Sequence, residues 1–190
     1  MKKLLSILTV FMFTVSTFAQ LNLKSDGAHS RIQFTVTHLG INDITGNFDK
    51  ADLTIKADEK NFVNSKITFS ANVNSINTHI EARDNHLKSA DFFDAAKFPT
   101  MDFTSTSLTK TKKDHYTLKG NLTMHGVTKP VTLTLVYKGS TVNAMNKKTT
   151  YGYQVLGSLK RSDFNVGPNF PAPMISDSVS IKGDFELTAE

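Results

Sequence analysis

The feature that most limits what this chain can fold into is a period-two alternation of apolar and polar residues that recurs from Arg31 to the C-terminal region. Ile32, Phe34 and Val36 alternate with Arg31, Gln33, Thr35 and Thr37. The same rhythm runs through Ile67, Phe69, Ala71 and Val73, then Tyr116, Leu118, Leu122 and Met124, then Val131, Leu133, Leu135 and Tyr137. It returns at Tyr151, Tyr153, Val155 and Leu159, and at Val179, Ile181, Phe185 and Leu187. Side chains of a strand point alternately to its two faces, so each run is a strand with one buried face. Weaker runs at 47–57 and 101–108 bring the number to about eight strands. Polar or glycine-bearing turns separate them: Asp58-Glu59-Lys60-Asn61, 110–114, His125-Gly126 and 139–148. Short turns pair neighbours antiparallel, and closing such a sheet removes sticky edges. The expectation is all-β: an eight-stranded antiparallel barrel in one domain.

Two stretches break the rhythm. Residues 79–96 have helical propensity, with Asp91 placed to cap a short second turn and Phe98-Pro99 to end it. Residues 165–177 carry Gly167-Pro168, Pro171 and Pro173 and read as a long ordered loop over one barrel end. The first nineteen residues are different again. Lys2 and Lys3 precede an apolar stretch, and Thr17 and Ala19 stand at the −3 and −1 positions of a cleavage site. Residues 1–19 thus read as a secretory signal peptide, cut after Ala19, leaving 20–190 in the periplasm or outside the cell. With Lys2 and Lys3 gone, 20 basic residues face 17 acidic ones, a balance too even for nucleic-acid binding. The absence of cysteine excludes disulfides, thiolate metal sites and a cysteine nucleophile.

Alternation alone does not say which face is apolar, since an outer-membrane barrel also alternates. The lack of tryptophan and aromatic girdles, and polar faces rich in lysine and acids, favour a water-soluble barrel without stable membrane insertion. Its inward set is uneven: Ala71, Gly120, Gly157 and Gly183 interrupt larger residues, either permitting bulges or leaving room for an apolar ligand. His38 and Arg161 share parity with the apolar residues of their strands and point inward at strand ends. A buried guanidinium requires a partner, so Arg161 either meets a carboxylate such as Asp84 or Asp163 or contacts a ligand. His38 reads as a hydrogen-bonded mouth residue. Arg83-Asp84-Asn85-His86 is the densest polar group, and on a helix Arg83 and His86 share a face that fits a polar head group; Arg83 is also spaced to pair with Asp91. No histidine pair has metal-ligand spacing, and no nucleophile or phosphate-binding motif is present, so neither metal site nor enzyme is expected.

Several clusters together resemble the YceI-like family of exported, lipocalin-like lipid-binding proteins. They are Ala28-His29-Ser30 with Phe34, Val36, His38 and Gly46-Asn47-Phe48, and Arg83-Asp84-Asn85-His86-Leu87 with Asp91-Phe92-Phe93-Asp94, Phe98-Pro99, Phe103 and Ser105. A third runs from Gly120 to Lys129, and Arg161-Ser162-Asp163-Phe164 and Ser176-Asp177-Ser178-Val179 complete the set. The resemblance implies a lipid-binding barrel over 20–190 that encloses a polyisoprenoid, an isoprenoid quinone or a fatty acid or amide, for transport, storage or sequestration. It places Arg83, Asp84 and His86 beside the pore and Arg161 on the wall. The head-group set is then Arg83, His86, Asp84, Arg161 and His38. The tail would meet Phe34, Val36, Phe69, Val73, Phe103, Leu118, Leu122, Leu133, Leu135, Tyr153, Val155, Leu159, Ile181 and Phe185, with Phe92, Phe93 and Phe98 as an aromatic collar. No cofactor is expected apart from the bound lipid or isoprenoid, and the partner is that amphiphile, with a homodimer left open. Two alternatives remain: an enzyme acting on a lipid or small molecule with His86 and Asp84 as acid and base, or a filled barrel serving as a stress-response interaction module.

Overall fold

A computed structural model describes residues 20–58 and 61–190, so the stretch 1–19 that reads as a signal peptide and the Glu59-Lys60 part of one turn lie outside the described residues. Within them the chain forms β1 (Gln20–Ser25), β2 (Arg31–His38), β3 (Asn42–Phe48), β4 (Ala51–Asp58), β5 (Lys66–Asn72) and β6 (Ile76–Asn77). One helix follows, α1 (Glu81–Lys88), and then β7 (Thr100–Lys112), β8 (His115–Met124), β9 (Val127–Val142), β10 (Thr149–Lys160) and β11 (Ser178–Ala189).

All pairings are antiparallel, and the order β1-β4-β5-β7-β8-β9-β10-β11 closes through β1 on β11 (Leu23 opposite Ala189). The first half of β11 pairs instead with β2 (Ile181 opposite Phe34), and β2 continues to β3 and β6. β1 and β2 therefore share one wall position, broken by a 3-10 turn at Gly27–His29, as β3 and β4 share the next and β5 and β6 the third. Eight positions close the barrel, as the alternation implies. The short β1 and β6 were not read from the sequence, the first being a brief run ahead of the main rhythm and the second only two residues, and the single run expected at 47–57 is instead the end of β3 and, after a bend at Asp49-Lys50, β4.

The β8–β9 hairpin shows how local chemistry sets register. His125 and Gly126 both have positive φ (50° and 74°), which suits a two-residue type I′ turn and puts Met124 opposite Val127. The helical stretch is shorter than its propensity implies. Only Glu81–Lys88 is helical, and residues 89–97 form successive turns, so Asp91 caps no second helix.

One end of the barrel, the base, carries the β4–β5, β7–β8 and β9–β10 connections. It is solid. Leu53, Ile55, Ile67, Leu118, Leu135 and Leu187 are fully buried there, each contributing roughly 1.5–3 kcal/mol by leaving water. Below them Phe62 packs on Tyr116 and Tyr153, and Tyr153 on Tyr137, closing the base with rings. Burial pushes the Tyr153 hydroxyl well up from its ordinary value. The opposite end, the mouth, carries the β2–β3 turn, α1, the β8–β9 turn and the 165–177 loop. No described helix is long and apolar enough to cross a membrane.

Candidate ligand chamber

The mouth half encloses a cavity of about 410 Å³. Its wall is built from residues of eight strands, among them Phe34, Val36, Phe69, Leu122, Leu133, Val155, Leu159, Ile181 and Phe185. Phe92 and Phe93 from the turns after α1 also line it. Polar groups enter only toward the mouth, from His38, Thr78, Arg83, His86 and Arg161.

Arg161 is buried, as its parity implies, but it meets no carboxylate. Its Nε donates to the Ser176 carbonyl (3.1 Å) and Nη1 to those of Val166 (3.0 Å) and Gly167 (2.6 Å). Nη2 donates to the carbonyls of Phe170 and Ile175. All five guanidinium protons are thus spent on one loop, which is folded around the cation. The carboxylates considered from the sequence are engaged elsewhere: Asp163 with Lys129 (3.3 Å), and Asp84 with Thr78. The ion-pair reading of Arg161 is therefore corrected, because carbonyl dipoles do the work of a counter-ion. The neighbouring Asp177 accepts from the Ser162 backbone N–H and hydroxyl (2.9 Å each). That backbone bond, ahead of an opposing effect of burial and help from the hydroxyl and Arg161, holds its carboxyl below the usual range.

Arg83 is held differently. Its Nε donates to the Thr78 hydroxyl (2.7 Å) and Nη2 to the Thr78 carbonyl (2.8 Å). The same hydroxyl donates to Asp84 (2.5 Å), which also accepts the Thr78 N–H (2.8 Å). Buried Thr78 thereby relays between a cation that lines the chamber and a carboxylate that does not. Two of five guanidinium protons are used, and three are left at the mouth. The pairing of Arg83 with Asp91 is also corrected: Asp91 accepts from His86 Nε2 (2.9 Å). His86 sits edge-on to Phe92 and Phe170 (5.0 and 5.4 Å between centroids), and those two rings stack at 4.6 Å.

The aromatic collar is therefore Phe92, Phe93 and Phe170. Phe98 packs edge-on to His125 (4.9 Å) against Gly126 and lies outside the chamber wall. Val73, Phe103, Leu118, Leu135 and Tyr153 also lie outside it; Leu118, Leu135 and Tyr153 belong to the packed base, and Phe103 lies behind Phe69. His38 stands exposed at the rim. Val166, Phe170, Met174 and Ile175 line the chamber and were missed, since an aperiodic loop gives no parity from which to infer direction.

The in-phase glycines do not leave the open space that the ligand alternative assigned them. A Cβ at Gly120 would stand 2.3 Å from the Phe103 ring, at Gly157 2.4 Å from Leu133 and at Gly183 2.5 Å from the Phe185 ring. Each gap is filled by a neighbouring side chain: the Phe103 ring at Gly120, Leu133 at Gly157 and the Phe185 ring at Gly183.

A closed eight-stranded barrel with one apolar chamber and a polar rim defines a lipocalin-like class of protein. Within that class the chain belongs to the YceI-like family, whose domain matches residues 23–187. Protein YceI of Salmonella arizonae is 39% identical over 148 residues, which covers 78% of this chain and 76% of that protein. The crystal structure of the Campylobacter jejuni YceI protein is 30% identical, with a TM-score of 0.72 over 81% of this chain and 90% of that one. Two more distant structures share the fold. Burkholderia cenocepacia BcnA has a TM-score of 0.76 at 23% identity, covering 87% and 99%. A polyisoprenoid binding domain from Saccharophagus degradans has 0.67 at 15% identity, covering 90% and 100%.

Proposed function

We propose that this protein is an exported carrier that holds one long-chain amphiphile, with the tail in the barrel and the head at the mouth, for transport, storage or sequestration in the periplasm. The observation that carries this reading is the pairing of an apolar chamber with a single under-used cation, Arg83, at its opening. Each buried methylene contributes roughly 0.8 kcal/mol, against an association cost on the order of 4–15 kcal/mol. At the low end of that cost, a dozen or so carbons and one charge-assisted head contact reach about micromolar affinity. A fatty acid, a fatty amide, an isoprenoid quinone or a polyisoprenoid with an oxygen-bearing head each offers an acceptor atom for the three remaining Arg83 protons.

A binding role is favoured over catalysis because acid and base are not assembled. Asp84 is spent on Thr78 and His86 on Asp91, so the two do not act on a shared proton. The filled-barrel alternative describes the base half and not the mouth half. Titration with a fluorescent polyene fatty acid tests the proposal. Saturable binding at one site is expected, weakened about tenfold or more in Arg83→Met. No saturable binding of either acyl or isoprenyl probes defeats it.

A further inference from the structure

We propose that the base of the barrel is a docking surface for an anionic lipid bilayer: the tip of the β9–β10 hairpin enters the interface, and the lysines around it meet the lipid phosphates. This concerns the end of the barrel away from the chamber and does not depend on the amphiphile reading.

Two neighbouring connections build the surface. The Asp114 carbonyl accepts the Tyr137 backbone N–H (2.8 Å), which ties the β7–β8 turn to the side of β9 and brings the chain at Lys113 beside that at Lys138. From there the hairpin runs on alone. β8 begins at His115, opposite Val136, while β9 continues to Val142. That adds about 20 Å of strand at about 3.3 Å per residue, with one edge unpaired. Its tip is ordered. Asn143 donates its N–H to the Lys148 carbonyl (2.9 Å), and the side-chain oxygens of Asn143 and Asn146 accept the N–H groups of Met145 and Lys148 (2.9 Å each). This turn holds Met145 94% exposed, with Val142 62% exposed beside it.

The charge is concentrated in the same place. Residues 110–114 and 138–148 contain Lys110, Lys112, Lys113, Lys138, Lys147 and Lys148 against one acid, Asp114. All six lysines are exposed, and none is in an ion pair with a described residue. They are six of the 20 basic residues of 20–190; the rest of that stretch, with 14 basic and 16 acidic residues, is net negative. The acids of β11, Glu186 opposite Gly152 and Glu190 paired with Lys24 (3.7 Å), lie on the other flank of the hairpin. Lysines also guard a free strand edge, but that purpose needs no bare methionine at the tip. A nucleic acid or other acidic polymer would use the charge and leave Val142 and Met145 in water. A bilayer takes both, since its interface buries apolar side chains while its phosphates attract cations. The mouth also exposes apolar residues, among them Ile41 at 86%, but its segments 79–97 and 160–177 hold five basic and six acidic residues and offer an anionic leaflet no net attraction. With the base docked, the mouth at the opposite end faces away from the leaflet.

The test is flotation of the protein, purified without detergent, with vesicles of phosphatidylcholine and phosphatidylglycerol in equal parts and with vesicles of phosphatidylcholine alone. Binding is expected to the first and not the second. It falls about tenfold or more between about 0.1 M and about 1 M salt, as the screening length shrinks from about 10 Å to about 3 Å. The double variant Lys113→Glu/Lys138→Glu weakens it about 25-fold or more, since each lysine beside an anionic leaflet is worth about fivefold. The chain has no tryptophan, so Met145→Trp and Ile41→Trp each report a single site. On anionic vesicles the emission of the first shifts to the blue and is quenched by brominated lipid, and that of the second is unchanged. The salt and tryptophan measurements decide the matter if the charge-reversal variant does not fold. No binding to anionic vesicles, or binding that neither salt nor charge reversal weakens, overturns the proposal. A blue shift at Ile41 in place of Met145 assigns docking to the mouth and overturns it too. Retention on heparin with no shift of the tip tryptophan on vesicles makes the surface a site for acidic polymers and overturns the bilayer assignment.

Discussion

Replacing Arg161 by lysine keeps the charge and removes the geometry, which makes it an informative perturbation of the mouth. The guanidinium satisfies five carbonyls of a single loop (Val166, Gly167, Phe170, Ile175 and Ser176). A lysine ammonium has three protons on one nitrogen and a shorter reach. At least two carbonyls therefore lose their partner, at about 1.5–3 kcal/mol for each charge-assisted bond. Water recovers part of this at the barrel end, so a net loss of about 3–5 kcal/mol is expected, in the range for breaking a buried charged contact. For a domain of this size that lowers Tm by about 10 °C. Hydrogen exchange supplies the local readout: the Val166 and Phe170 amides, bonded to Arg161 and Gly167 carbonyls, lose protection while those of β7–β8 keep theirs. If Arg161→Lys unfolds within about 2 °C of the parent with the loop amides still protected, the cation does not organise the loop.

Three further outcomes follow from the same contacts. Gly183→Ala places a methyl 2.5 Å from the Phe185 ring, driving that ring into the chamber; about 1–3 kcal/mol of stability is lost, and probe titration shows weakened binding. Thr78→Val removes the hydroxyl between Arg83 and Asp84; a loss of about 1–3 kcal/mol appears in the denaturant midpoint, and binding falls as Arg83 loses its support. The depressed Asp177 carboxyl gives a pH signature. A group held down in the folded state adds stability that is fully present above the unfolded carboxylate value of about 4 and is lost as pH falls through the lower folded value. Asp177→Asn therefore lowers Tm at neutral pH, and its curve converges with the parent's below about pH 4.

Much of the frame was legible because strand parity is a binary signal. It placed Arg161 inside from its phase with Val155 and Leu159, and it put Phe34, Phe69 and Phe185 on one inner surface. Parity says nothing about what fills a gap. Gly120 and Gly183 read equally as bulge or void, and only the rings of Phe103 and Phe185 that occupy those places decide between them. Partners across the loop were illegible for a related reason. Arg161 is satisfied by main-chain carbonyls, which every residue carries, so no side-chain pattern announces them. Phe170 joins the collar from an aperiodic segment, whereas Phe98, at the end of the turns that follow α1, packs instead against the His125-Gly126 turn.

The central claim is that the mouth half of the barrel holds a lipid tail, and mass spectrometry tests it most directly. Protein produced in a bacterial host and purified without detergent is weighed intact under native conditions and then extracted with organic solvent. The account predicts one amphiphile per chain, released on extraction and carrying a single tail. Protein that weighs as the bare chain, yields no lipid and takes none up when incubated with fatty acids or isoprenols contradicts it.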